Sequence, residues 1–255
     1  MTELEEIDHW MQLQSPLVRK NAKIVTPEDL GIKHLFRIDK EVQKVYIPRL
    51  PYTAAKDEVI ENASTPRICM GRSLMGCVIG YNRWKDDIYN SMGKSTTKVT
   101  GYHGGYIVQT IPFNYAITIN KKLLWESEAT GEVWLVAYNK ATATYKSTAI
   151  GKLFCTSLEI APRAKSDPLM VAEFYLEHDY AEGLPFLDEG EAKPKGFYRI
   201  KAKFDNLGVS SMVGCNAKDK EIYEFTEVSE AEYNEFKSLT ASLLSLGKPP
   251  VPLNW

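Results

Sequence analysis

Apolar positions in the opening segment TELEEIDHWMQLQ fall at Leu4, Ile7 and Met11, the spacing of one helical face. Thr2 with Glu5 three residues on has the form of a capping box, so a short N-terminal helix is predicted. In TPEDLG, Thr26 is placed to cap, Pro27 occupies the first helical position and Gly31 is a stop, which predicts a single helical turn. The pattern then becomes strand-like: HLFRI (34–38) reads as the first strand, and KVYIPRLPY is extended because its two prolines forbid helix. RICMG (67–71) reads as a short buried strand entering a helix. Ser73 is its cap, Leu74, Cys77, Val78 and Tyr81 form its face, and Gly76 and Gly80 allow close packing on a sheet.

Beyond Val99, aromatic and β-branched residues punctuated by Gly, Pro and Asn predict strands at 106–111, 115–119, 132–138 and 152–158. A boundary is expected near Asp167-Pro168. After it, the acid-rich run from Glu173 to Glu191 reads as a mobile loop or hairpin. FYRIKAKF (197–204) alternates apolar with cationic residues, the signature of a half-exposed strand, and VSSMV and IYEFTEV continue the sheet. Ser229 with Glu232 opens a final helix whose stripe is Tyr233, Phe236, Thr240, Leu243 and Leu244, stopped by Gly247 before two prolines; Trp255 is expected to dock on the body or on a partner. The expectation is an α+β protein with a mixed or antiparallel sheet core, a few short helices and a C-terminal helix. The core would occupy 1–165 and a smaller β-rich extension 166–255.

Composition narrows the function classes. With 44% hydrophobic and 25% charged residues in 255, the chain can bury a core without staples, which excludes a disordered chain. A net charge of −2 argues against a general electrostatic footprint for nucleic acid or an anionic membrane. Cys69, Cys77, Cys155 and Cys215 are widely spaced with no Cys-x-x-Cys, so no metal centre is predicted; Cys69 and Cys77 read as buried thiols of a reducing cytoplasm. The longest stretch free of acids, lysine and arginine (99–120) contains Pro, Gly, His and Asn, and no membrane segment is predicted. Phosphate-loop, nucleophile-elbow, zinc-protease and dinucleotide-binding motifs do not occur. Of four histidines, His9 and His178 read as surface residues, whereas His34 beside the first strand and His103 in GYHGGY are the candidates for chemistry.

HLFRI, PRLP, STPRICMGRSLMGCVIGY and GEVWLVAY together resemble a group of short phage-encoded proteins over residues 33–158. These in turn look like minimal relatives of ADP-ribosyltransferase-type folds, in which an Arg on the first strand, a Ser/Thr-rich strand and a later Glu converge on NAD. The resemblance implies Arg37 on the pyrophosphate, Ser95 and Thr96 orienting their neighbours, His103 beside the cofactor, Glu128 stabilising the cationic sugar and Glu126 activating the acceptor. Glu132 and Ser73 are equally open alternatives for the carboxylate and the hydroxyl. The chemistry suits those types: a guanidinium fork holds phosphate oxygens, and a carboxylate stabilises a developing cation. Two functions follow. One is ADP-ribosyl transfer from NAD, as substrate, to a host macromolecule, which requires these groups to line one cleft. The other is an inactive binding module for a host or phage protein, in the host cytoplasm or the virion, which requires an exposed apolar patch anchored by aromatics.

Overall fold

The computed structural model describes residues 1–51, 64–81, 98–124, 127–161, 169–188, 191–205 and 222–245. It is an α+β protein with antiparallel sheets, short helices and a long helix near the C-terminus. The chain forms two compact units, each assembled from separated stretches: 1–80, 108–149 and 184–193 make the first, and 81–107, 150–183 and 194–255 the second. The composition break near Asp167 predicted a single cut, and that position lies outside the described residues.

The first unit opens with α1 (Glu3–Gln12), whose Thr2–Glu5 capping box is formed in both directions, and α2 (Pro16–Asn21), capped by Ser15. β1 (Ala22–Val25) follows, then the single turn α3 (Pro27–Leu30), capped by Thr26 and ended by Gly31 at φ +67°. That positive φ is the conformation glycine adopts at least cost. A four-stranded antiparallel sheet has the order β1, β6 (Ala116–Ile119), β7 (Val133–Leu135), β4 (Ile68–Met70). Alternation along it feeds two cores. Val25, Ala116, Val133 and Leu135 join Leu35, Tyr46, Ile111 and Tyr145 in one. Ile117, Trp134 and Val136 meet Ile7, Met11 and Val18 of the helices in the other. β2 (His34–Asp39) carries its Phe36 into a backbone bridge with Gly71, and β3 (Val45–Tyr46) pairs with β8 (Tyr145–Lys146).

α4 (Leu74–Gly80) begins at Ser73, whose hydroxyl accepts from the Gly76 amide. Its glycine face does not lie on a sheet, as the spacing suggested. A Cβ at Gly76 would strike the carbonyl of Thr130, so the glycine accommodates the single turn Ser127–Thr130.

In the second unit, β9 (Thr148–Ala161), β10 (Leu169–His178), β13 (Gly196–Asp205) and β14 (Ile222–Val228) pair antiparallel in succession, with β5 (Lys98–Pro112) next to β9 in strand order. β5 and β9 extend into both units. Two expectations are corrected here. The first half of the acidic run is strand β10: Ala172, Phe174 and Leu176 are buried while Glu173, Tyr175 and Glu177 alternate with them, so the acids mark one face rather than a loop. The run's second half contains β11 (Leu184–Pro185), which pairs antiparallel with β12 (Ala192–Lys193) just past the run, in keeping with the hairpin alternative. His178 is therefore the last residue of a strand and 3% exposed, not a surface residue. The C-terminal helix Glu230–Ser245 starts at Ser229, which accepts from the Glu232 amide as its spacing predicted. The VSSMV segment, Cys215 and Trp255 lie outside the described residues.

Candidate functional site

The polar side chains that the sequence singled out gather in the first unit around β2 and β7. Arg37 and Asp39, two apart on β2, share a face, and Arg37 Nε donates to Asp39 Oδ2 at 3.0 Å. Arg37 Nη1 donates to the Cys69 carbonyl on β4 at 2.8 Å, and its guanidinium stands 5.4 Å from the Tyr46 ring centroid. The Tyr46 hydroxyl donates to the same Asp39 carboxylate and accepts from Gln109 Nε2 at 2.5 Å; Gln109 Oε1 in turn accepts the Gln43 amide at 2.8 Å. Burial works against the Arg37 charge, and Asp39 outweighs it, so Arg37 is held more firmly protonated than usual. Burial and the Asp39 carboxylate push the Tyr46 phenol far up, which keeps it a neutral donor.

A second knot lies where β4 meets β7, with Cys69 opposite Trp134 in the register. Trp134, fully buried, donates Nε1–H to Glu132 Oε1 at 2.8 Å, and the Arg67 guanidinium sits 4.2 Å over its indole ring. The Cys69 thiol also donates to Glu132. Burial raises the Glu132 carboxyl above its ordinary value, and the Cys69 and Trp134 donors and the Arg67 and Arg37 charges only partly oppose it. Burial and the Glu132 charge push the Cys69 thiol far up, so it is not a thiolate nucleophile. Cys77 is buried as well and is pushed up to about 12. Arg37 thus links the two knots: it bonds Asp39 directly, and its charge reaches Glu132.

Ser73 belongs to a different cluster. Its hydroxyl donates to Asp188 Oδ1 at 2.7 Å while Arg72 Nη2 bonds Asp188 Oδ2 at 2.5 Å. Phe186, two residues earlier, is buried and its carbonyl accepts the Met75 amide. The carboxylate occupies the place a side chain would need at Gly131, whose φ of +57° already favours glycine. This arrangement fastens the 184–193 segment to the start of α4.

Arg37 and Glu132 thus each meet Cys69, at its carbonyl and its thiol, while Ser73 lies elsewhere, committed to Asp188. Glu128 lies in the turn Ser127–Thr130, where its backbone alone is described; the same holds for His103, on β5. Ser95, Thr96 and Glu126 lie outside the described residues. Sequence reasoning missed Asp39, Tyr46 and Gln109. Asp39 carried the one available signal, its i, i+2 relation to Arg37, whereas Gln109 meets Tyr46 from 63 positions away. A shallow depression of about 430 Å³ lies against α1 and α2, lined by Met11, Gln12, Pro16, Arg19 and Lys20, with none of the expected residues on it. Among the described residues, no group of three or more His, Cys, Asp or Glu side chains is placed to hold a metal ion, and no helix is long and apolar enough to cross a membrane.

Outward-facing apolar groups are concentrated elsewhere in the same unit. Val42, Val45, Ile47 and Leu50 stand 47–58% exposed within nine residues. Tyr46 turns inward between Val45 and Ile47, the alternation of an extended strand, and the ribbon with Tyr145 and Lys146 fixes it. Among the described residues the large exposed hydrophobics are aliphatic or Met, so the aromatic anchors expected of a binding surface are not found there. Comparison of the chain with protein-family models, curated proteins and solved structures finds no match.

Proposed function

We propose that the chain is a non-catalytic binding module that engages a protein partner through the aliphatic strip of residues 42–50. The observation that carries this reading is that four exposed aliphatic side chains fall within nine residues of the chain. Exposed leucines scattered singly are ordinary, whereas a contiguous set is what a partner's apolar surface covers. Exposed Lys40, Glu41, Lys44 and Arg49 frame the strip with both signs of charge, the polar rim of a protein interface. The resemblance to phage-encoded proteins makes the partner a host or virion protein met in the bacterial cytoplasm. Affinity capture from the cell that naturally makes the chain tests this. A partner retained by wild type should be lost with an Ile47→Glu, Leu50→Glu variant of unchanged melting temperature and kept by a Leu13→Glu control. Equal retention by all three would contradict the reading.

ADP-ribosyl transfer from NAD is the second reading, favoured by the convergence of Arg37 and Glu132 on Cys69. The residues fit NAD poorly as they stand. A pyrophosphate on Arg37 would compete with Asp39 and the Cys69 carbonyl, and Glu132 is held by Trp134. Transfer of labelled ADP-ribose from NAD to a lysate macromolecule, with nicotinamide leaving, and both lost in Glu132→Gln, would establish the reaction; nicotinamide release without labelled acceptor would mean hydrolysis, and no release would remove the reading.

A further inference from the structure

We infer that His178 is an acid-sensitive lock on one end of the second unit's sheet. The slot around it is built by its neighbours across the strands. In register, His178 faces Gly151 on β9 and Gly196 on β13, so the residues beside it on both flanking strands lack side chains. A Cβ on Gly151 would lie 2.9 Å from His178 Cβ, closer than real contacts allow. The imidazole stacks on the Tyr198 ring at 5.6 Å between centroids and 20° between planes, and both residues are buried.

Glu227 on β14 is the register partner of Tyr198 and acts on the ring that the imidazole stacks against. The Pro194 carbonyl accepts from the Tyr198 hydroxyl at 2.7 Å and also faces the imidazole. Asp179 follows directly in sequence, and its amide is tied to the Ile150 carbonyl at 2.9 Å. Glu177 and its register partner Lys152 occupy adjacent positions and so belong to the opposite face of the sheet. Burial holds the imidazole below its ordinary value, against the Pro194 carbonyl and the Asp179 charge, which both favour the proton. Because the folded state prefers the neutral ring, the stability it supports is complete above the ordinary histidine value of about 6.5 and is lost as pH falls toward the lowered one. Protonation would place a charge on a ring that is buried here, so acidification loosens the strand end it closes. Ile150, Gly183 and Pro194, at or near that end, are where the chain passes between the two units.

Hydrogen exchange at pH 7.5 and 5.0, corrected for intrinsic rates, reads this directly. Amides of 150–154 and 195–198 should exchange faster at pH 5.0 in wild type, by about two-fold or more, and show no such difference in His178→Phe, which keeps the ring stacked on Tyr198. An equal acid response in both proteins, or none in wild type, would overturn the inference. Should the variant fail to fold, the wild-type imidazole resonances decide: His178 should titrate below the ordinary histidine value of about 6.5, and titration at or above that value would overturn the inference.

Discussion

The first unit ties β2, β4 and β7 together with charged and polar side chains, whereas the second clamps its helix to a sheet with aromatic rings. In the first, Arg37, Asp39, Tyr46 and Gln109 satisfy one another, and Glu132 takes bonds from Trp134 and Cys69. In the second, Tyr175 stacks on Phe236 of the C-terminal helix at 4.4 Å, and Tyr233 is packed between Phe197 and Phe154. Only the outer atoms of that clamp are polar: the Tyr233 hydroxyl donates to Glu177, which also receives Lys237 at 3.7 Å. The difference teaches where each unit is vulnerable. Removing one partner from the polar knots leaves another buried group unsatisfied, while removing an aromatic ring loses area and stacking but strands no charge.

The sharpest break should come from Trp134→Ala. It empties a fully buried indole site, removes the donor to Glu132 and takes the ring from under Arg67, and should cost about 3–5 kcal/mol in urea unfolding of the whole chain. Phe236→Ala should cost less, about 1–3 kcal/mol, because Phe236 is only partly buried and Tyr233 still holds the helix; far-ultraviolet circular dichroism measured with the unfolding curve would show the helix retained. An equal or larger loss from Phe236→Ala would erase the comparison.

Glu132→Gln sharpens it through pH. A carboxyl whose folded-state value is raised above its unfolded one stabilises the protein when protonated, and that contribution is lost as pH rises from about 4.3 through the folded value. Glutamine keeps an acceptor for Trp134 without the buried charge. The variant should therefore lack that part of the fall in stability with rising pH, and thermal melts at pH 4.5 and 7.5 check it. Tyr233→Phe should be the mildest change, about 1 kcal/mol, since it removes one hydrogen bond to a partly exposed Glu177 and leaves the ring packing intact.

Local chemistry in the sequence foretold the local structure well. Thr2–Glu5, Thr26–Pro27, Ser73 and Ser229 each start the helix that their spacing predicts, because capping is settled within four residues. The alternating glutamates of β10 resemble loop composition, and the cross-strand register explains them. Arg199 bonds Glu173, and Lys201 lies between Glu173 and Glu224, so the cationic face of β13 is matched by acids on its neighbours. The site was legible only in part. Arg37 and Glu132, named from the sequence, both meet Cys69, yet nothing local ties Asp39 to Gln109 or Asp188 to Gly131, pairs that exist only once the chain has folded. His178 was likewise hidden, since its burial depends on two glycines from other strands.

The central claim is that the 42–50 strip, rather than the Arg37–Glu132 cluster, is where the chain meets its partner. Site-specific photocrosslinking tests it most directly, with the photoreactive residue placed at position 47 in one preparation and at position 13 in another, in lysate from the cell that naturally makes the chain. A discrete protein adduct from position 47 and none from position 13 is the predicted result. No adduct from position 47, or the same adducts from both, would contradict it.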